Sequence, residues 1–370
     1  MNNEASRFGW IGSTREVDLP DMDIKRVLRQ RAKSGSECEL PPGIKLVRTL
    51  SGHNGNIECL RFDPAGGLLA SGSRDGTVRI WEVDSGTQLR KLEGHGYGVP
   101  CVAFDSKGYL LASGEYHYGG IRLWDVASGK LLNKHACETN SNIKTDIGQL
   151  TFSPCGGFLV ALVKGSTMVF RLQKDPLALE HTKTLQYGAL DIAFDWKTSQ
   201  LVSVGKNGRV SLWDVPRDQL IYDRNIAPNI NGVATVFCAS FHPNGELFAT
   251  GGMASKSVNI WRVSDGVSSI TIPVGWNLTK NLAFSPDGRF LATMSSRLLQ
   301  IWRCDTWARV AGVQLRYDYY GEEGQDSPLA FHPKLPLLAV AGQYPHPQRY
   351  ASYMIHVLEL DSEVLTSGKE

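Results

Sequence analysis

Short apolar runs recur along the chain, each bounded by turn-forming residues. One phenylalanine marks the period: Phe62, Phe104, Phe152, Phe194, Phe241, Phe284 and Phe331, at intervals of 42, 48, 42, 47, 43 and 47 residues. Most are followed by a tight reversal built on Pro and Gly, as in Asp63-Pro64-Ala65-Gly66 and Ser285-Pro286-Asp287-Gly288. These residues fix the dihedrals that a strand-to-strand turn needs. An apolar strand comes next, Leu68-Leu69-Ala70-Ser71-Gly72 in the first unit and Phe290-Leu291-Ala292-Thr293 in the sixth.

A second turn follows, Asp75-Gly76 in the first unit, of the kind that closes a two-residue hairpin. A third strand ends in an aromatic residue at Trp81, Trp124, Phe170, Trp213, Trp261 and Trp302, with His356 at that place in the seventh unit. Weaker runs such as Gln88–Leu92 supply a fourth strand. A four-stranded sheet cannot bury both of its faces alone, whereas seven packed around an axis can. Lys45–Leu50 runs into Gly52-His53 just as Gln88–Leu92 runs into Gly94-His95. The segment 44–50 is therefore expected to complete the last blade.

Gly52-His53, Gly94-His95, Trp124-Asp125 and Trp213-Asp214 resemble the Gly-His and Trp-Asp signatures of the WD-repeat family. The resemblance runs from Ile44 to Leu360. It implies an all-β, seven-bladed WD-repeat β-propeller with a short N-terminal extension, residues 1–43, and a C-terminal tail, residues 361–370. It also implies a buried polar network within a blade, for which unit one has His53, Ser71 or Ser73, Asp75 and Trp81. Unit two lacks the Asp, and units three to seven lack the Gly-His.

Composition narrows the function. The formal net charge is +2, so no global field recruits nucleic acid or an anionic membrane. No apolar run approaches a membrane span, and the polar first residues show no cleavage signal. Seven cysteines without a Cys-x-x-Cys pair read as reduced thiols in a cytoplasmic or nuclear protein. Cys59, Cys101 and Cys238 share one position, three before the marker Phe, and read as packing residues. His242 and His332 directly follow it and read as caps of a surface turn. No phosphate loop, zinc pair or nucleophile elbow is present, so neither enzymatic activity nor a cofactor or metal is expected.

The loops fall into two sets. Those after the marker Phe are short reversals, and those at the other end are longer and rich in aromatics. The candidate partner-binding residues are Tyr97, Tyr116, His117, Tyr118, Trp276, Tyr317, Tyr319, Tyr320, Tyr344, Arg349 and Tyr350. Exposed aromatics and Arg dominate binding hot spots. In the resembling family this end, around the channel mouth, is the usual site for peptides and partner proteins. Repeat position places Glu58, Asp191, Lys280 and Asn281 near it.

Asp21–Leu28 predicts a short helix with an apolar stripe at Ile24, Val27 and Leu28 and a basic side. Two readings stay open. In the first, the chain is a non-catalytic scaffold that holds a protein or peptide on its aromatic loops. In the second, it is a sensor or regulatory subunit of a larger complex and docks through the N-terminal helix.

Overall fold

The computed structural model describes residues 40–117, 120–137, 146–163, 165–206, 208–225, 236–252, 257–275, 278–295, 298–314, 328–342 and 353–367. The expected N-terminal helix lies outside them. The strands form seven antiparallel four-stranded sheets, the blades of a propeller.

β1 (Ile44–Leu50) precedes blade 1, which comprises β2 (Ile57–Phe62), β3 (Leu68–Ser73), β4 (Val78–Glu82) and β5 (Gln88–Leu92). Blade 2 is β6 (Cys101–Phe104), β7 (Leu110–Gly114), β8 (Gly120–Asp125) and β9 (Leu131–Ala136). Blade 3 is β10 (Ile147–Phe152), β11 (Phe158–Val163), β12 (Ser166–Lys174) and β13 (Leu177–Tyr187). Blade 4 is β14 (Ala189–Phe194), β15 (Gln200–Gly205), β16 (Arg209–Asp214) and β17 (Gln219–Asn225). Blade 5 is β18 (Val236–Phe241), β19 (Leu247–Gly252), β20 (Ser257–Arg262) and β21 (Ser268–Pro273). Blade 6 is β22 (Thr279–Phe284), β23 (Phe290–Ser295), β24 (Leu298–Arg303) and β25 (Arg309–Gln314). Blade 7 is β26 (Leu329–Phe331), β27 (Leu337–Ala341) and β28 (Ile355–Leu360), with β1 as its outer strand.

β1 pairs with β28 from Ile44 opposite Leu360 to Leu50 opposite Ile355. His356, in the place of the usual aromatic, uses Nδ1 to bond Thr49 Oγ1 at 3.1 Å and Nε2 to bond the Gly342 carbonyl at 3.0 Å. The segment after β28 was expected to be a polar tail, but it begins with a helix, α1 (Ser362–Ser367). Asp361 caps this helix by accepting from the amides of Glu363 and Val364, and Leu365 is buried beside Gly43.

The apolar core lies between blades. Each buried cluster draws on two neighbouring sheets, such as Leu60, Leu69 and Trp81 of blade 1 with Ala339, Ile355 and Val357 of blade 7. Leu159, Ala161 and Phe170 of blade 3 likewise join Ile121 and Leu123 of blade 2. The first strands meet around the ring, β2 on β6, β10 on β14, β14 on β18, and β26 back on β2. They line the central channel.

The histidines after the marker Phe do more than cap turns. His332 is buried rather than at the surface. Its Nδ1 accepts from the Lys334 and Leu335 amides, and its Nε2 reaches the Gly66 carbonyl of blade 1 at 2.8 Å. A Cβ on Gly66 would collide with the His332 ring. His242 makes the equivalent bond to Gly288 of blade 6 at 3.0 Å. Sequence reading shows the turn, but the partner carbonyl belongs to the next blade and appears only when the ring closes.

Candidate functional site

A recurrent irregularity shapes the channel mouth. In five innermost strands the register slips by one residue at the loop end, so that Glu58, Gly148, Leu190, Phe237 and Lys280 each stand as the extra residue of a bulge. A bulge of this kind re-aims a side chain, here at the rim of the channel. Leu190 and Phe237 are half-buried there and put apolar surface on blades 4 and 5. Neither was a sequence candidate, because only the slipped register distinguishes them from core positions.

Blades 1 and 2 hold complete polar networks beneath this rim. In blade 1, His53 bonds Asp75 at 2.8 Å through Nδ1 and Ser71 at 2.8 Å through Nε2, while Trp81 Nε1 donates to Ser71 Oγ at 2.9 Å. Blade 2, which lacks the expected Asp, completes the same network with Glu115. His95 Nδ1 lies 3.0 Å from Glu115 Oε2, His95 Nε2 bonds Ser113 at 2.8 Å, and Trp124 Nε1 donates to Ser113 at 2.7 Å. Glu115 stands two residues earlier in the repeat than Asp75, and its extra methylene reaches the imidazole from there. It also pairs with the buried Arg122.

Burial lowers the pKa of both histidines, overriding the pull of their carboxylates. Burial opposes ionisation of Glu115 too, but hydrogen bonds from His95 and Arg122 hold its pKa at about 2. The network is thus a neutral imidazole on an ionised carboxylate, a structural unit.

Glu115 is also the root of the loop that holds Tyr116 and His117. The Tyr116 amide donates to the Gly98 carbonyl at 3.1 Å, and its phenol donates to Glu58 Oε2 at 3.0 Å. Arg74 Nε donates to Glu58 Oε1 at 2.7 Å. A Cβ on Gly98 would stand 3.0 Å from Arg74 Cα and 3.2 Å from the Tyr116 ring, so glycine permits this close approach. His117 adopts a left-handed backbone, φ 75°, and its amide donates to Asp146 at 2.7 Å. Such a conformation is costly for a side chain with a Cβ and persists only where its surroundings fix it. Tyr97 packs edge-on against the His117 ring, 4.9 Å between centroids.

Tyr97, Tyr116 and His117 are therefore brought together, and Lys280 stands on the rim at blade 6. Two sequence candidates are placed otherwise. Glu58 is enclosed, its side chain 7% exposed and both oxygens engaged by Arg74 and Tyr116. It positions the tyrosine instead of offering an open contact. Asp191 is partly exposed as a residue, but its carboxylate is spent on the amides of Ile192 and Ala239 at 2.9 and 2.6 Å. Burial raises its pKa to about 7. It ties blade 4 to blade 5, as Gln149 ties blade 3 to blade 4 through the Ile192 amide at 2.8 Å. Tyr118, Trp276, Tyr317, Tyr319, Tyr320, Tyr344, Arg349 and Tyr350 lie outside the described residues.

The three aligned cysteines are buried, and burial pushes the Cys59 thiol up to about 12. The Cys101 thiol lies 3.2 Å from the Ile147 carbonyl of blade 3. The opposite face is less plain than its short turns suggest, since Tyr109 and Trp196 there are 69% and 74% exposed.

A family model described as WD domain, G-beta repeat, matches residues 44–82, 86–125 and 230–262. The chain carries WD repeats. The first two matches cover the strands that hold the His53 and His95 networks, and the third takes in Trp261, whose Nε1 donates to Thr250 at 2.8 Å.

This WD-repeat chain is similar to eukaryotic translation initiation factor 3 subunit I of Saccharomyces cerevisiae, 26% identical over 184 residues, 45% of this chain and 51% of that protein. It is similar to ribosome biogenesis protein erb1 of Botryotinia fuckeliana, 24% identical over 220 residues, 57% of this chain and 22% of that protein. It thus spans about half the length of the first relative and about a fifth of the second. The Cps50 (Swd1) β-propeller domain of Myceliophteria thermophila shares the fold, with a TM-score of 0.66 at 18% identity, over 86% of this chain and 99% of that one.

Proposed function

We propose that this WD-repeat propeller is a non-catalytic scaffold that holds a partner protein or peptide on its loop face, centred on blades 1 and 2. The observation that supports this most is the Tyr97–Tyr116–His117 cluster, fixed from below by Glu58, Arg74 and Glu115. Side chains ordered before binding lose little entropy on association, and tyrosine offers area at low conformational cost. Leu190, Phe237 and Lys280 continue the surface around the channel mouth. The similarity to a subunit of an initiation factor and to a ribosome biogenesis protein favours work inside a multiprotein assembly, in the cytoplasm or nucleus.

Photo-crosslinking tests this reading. A benzophenone amino acid placed at position 97 is expected to trap a partner in native extract that the same group at position 196, on the opposite face, does not trap. Trapping from position 196 alone would move the working surface to the other side of the ring.

A further inference from the structure

The seam where the ring closes is built differently from the others. At the position three before the marker Phe, blades 1 to 5 each reach the next blade, or the chain leading into it, beside the channel. The Cys59, Cys101 and Cys238 thiols face the Val99, Ile147 and Thr279 carbonyls, and Gln149 and Asp191 accept from the Ile192 and Ala239 amides. Blade 7 has Pro328 there, whose side chain can neither donate nor accept. β26 is also the shortest innermost strand, with three residues against four in β6 and six in the other five.

His332 joins the turn of blade 7 to the turn of blade 1. It is buried, and its ring lies on Gly66, where a Cβ would stand 2.3 Å from it. The Lys334 and Leu335 amides can only donate, so Nδ1, at 3.1 and 2.9 Å from them, carries no proton. The Gly66 carbonyl can only accept, so Nε2, at 2.8 Å, carries one. These bonds fix a single neutral tautomer. A second proton could go only to Nδ1, against two N–H groups. His53 and His95 differ, because their Nδ1 atoms face the Asp75 and Glu115 carboxylates and an added proton would stay within a hydrogen bond. His242 ties blade 5 to blade 6 as His332 ties blade 7 to blade 1, but its Nδ1 accepts from one amide and Cys238 holds that seam as well.

The charged groups that act on His332 are Asp63 and Asp84 of blade 1, which favour its protonation, and Lys334 of its own turn, which opposes it. The Asp63 carboxylate is spent on the Ala65 and Leu68 amides at 3.1 and 2.6 Å. Burial outweighs both acids and holds the imidazole below its ordinary value. With the folded value depressed, His332 stabilises the seam fully above the ordinary 6.5, and that contribution is lost as pH falls below it.

We propose that the blade 7–blade 1 seam is an acid-released latch, in which a proton on His332 Nδ1 expels the ring from Gly66 and parts the two turns while the other blades stay joined.

Hydrogen exchange of the full chain, read by mass spectrometry from about pH 7 to about pH 5 and corrected for the intrinsic effect of pH, tests the latch. In wild type, protection of the Lys334 and Leu335 amides and of the 63–68 turn is expected to fall about tenfold or more, as loss of buried hydrogen bonds implies. The 153–158 turn of blade 3, which Ser153 caps through the Phe158 amide, should keep its protection. His332→Asp retains a turn cap of the kind Asp63 makes but offers no donor to the Gly66 carbonyl. Both turns should then be less protected than in wild type at the upper pH, and the step with pH should vanish. His332→Asn replaces it if circular dichroism shows His332→Asp to be misfolded. Undiminished protection of wild type at the lower pH, or the same step in the variant, would overturn the proposal. So would a loss spread equally over all seven blades, which is general acid unfolding.

Discussion

The phenol of Tyr116 donates to Glu58 Oε2 across 3.0 Å and so fastens a loop of blade 2 to the innermost strand of blade 1. Glu58 in turn holds Arg74, and the three form a bridge over the blade 1–blade 2 interface at the mouth. Tyr116→Phe removes this bond but keeps the ring. It is expected to loosen the loop, which hydrogen exchange at the Tyr116 and His117 amides would register as faster exchange in Tyr116→Phe than in wild type. Equal exchange would mean that the Gly98 and Asp146 contacts suffice to hold the loop.

Glu115 supports both the blade 2 core and the loop above it. Glu115→Ala leaves Arg122 and His95 facing each other without a carboxylate, and it should cost about 3 kcal/mol, as breaking a buried pair does. Adding Arg122→Met should recover part of that loss. Urea unfolding of the single and double variants checks both statements, and equal midpoints for all three proteins would contradict them.

Burial lowers the pKa of His53, His95, His332 and His356 in the folded protein. Below their ordinary value of 6.5 the unfolded chain binds protons that the folded chain refuses. Their contribution is therefore complete above that pH and is lost as pH falls through it. The Glu115 contribution persists further, to below its ordinary 4.5, because its folded pKa is about 2. Calorimetry should show the melting temperature falling from about pH 7 to about pH 5, and a flat profile would contradict the neutral-imidazole networks.

Ring closure depends on β1 and on His332. Deleting Ile44–Leu50 strips β28 of its outer partner and exposes an edge, so the protein should melt earlier and aggregate. His332→Ala removes a buried bond to the Gly66 carbonyl and should cost about 2 kcal/mol in urea unfolding. Monodisperse elution with an unchanged melting temperature for the deletion would show that β1 is dispensable.

The fold was legible because the marker Phe keeps one register through seven units, and the Pro-Gly turns and strand-ending aromatics repeat with it in most of them. Of the loop cluster proposed as the site, residue type alone singles out Tyr97, Tyr116 and His117. Glu115 escaped because a longer acid does the work of Asp75 from a position two residues earlier. Leu190 and Phe237 escaped because their role comes from a bulge, a property of pairing rather than of composition. Glu58 and Asp191 were placed at the mouth by position, but their bonds are made by Tyr116, Arg74 and the Ala239 amide, contacts that exist only once blades meet. Tyr109 and Trp196 sit in turns that read as simple reversals.

The working surface is tested most directly by affinity capture from native extract with quantitative mass spectrometry. Wild type would be compared with a folded Tyr97→Ala, Tyr116→Ala, His117→Ala variant and with a Tyr109→Ala, Trp196→Ala variant on the opposite face. A partner retained by the second variant and lost from the first is the expected result. A partner retained by the first and lost from the second would contradict the assignment and put the binding surface on the turn face.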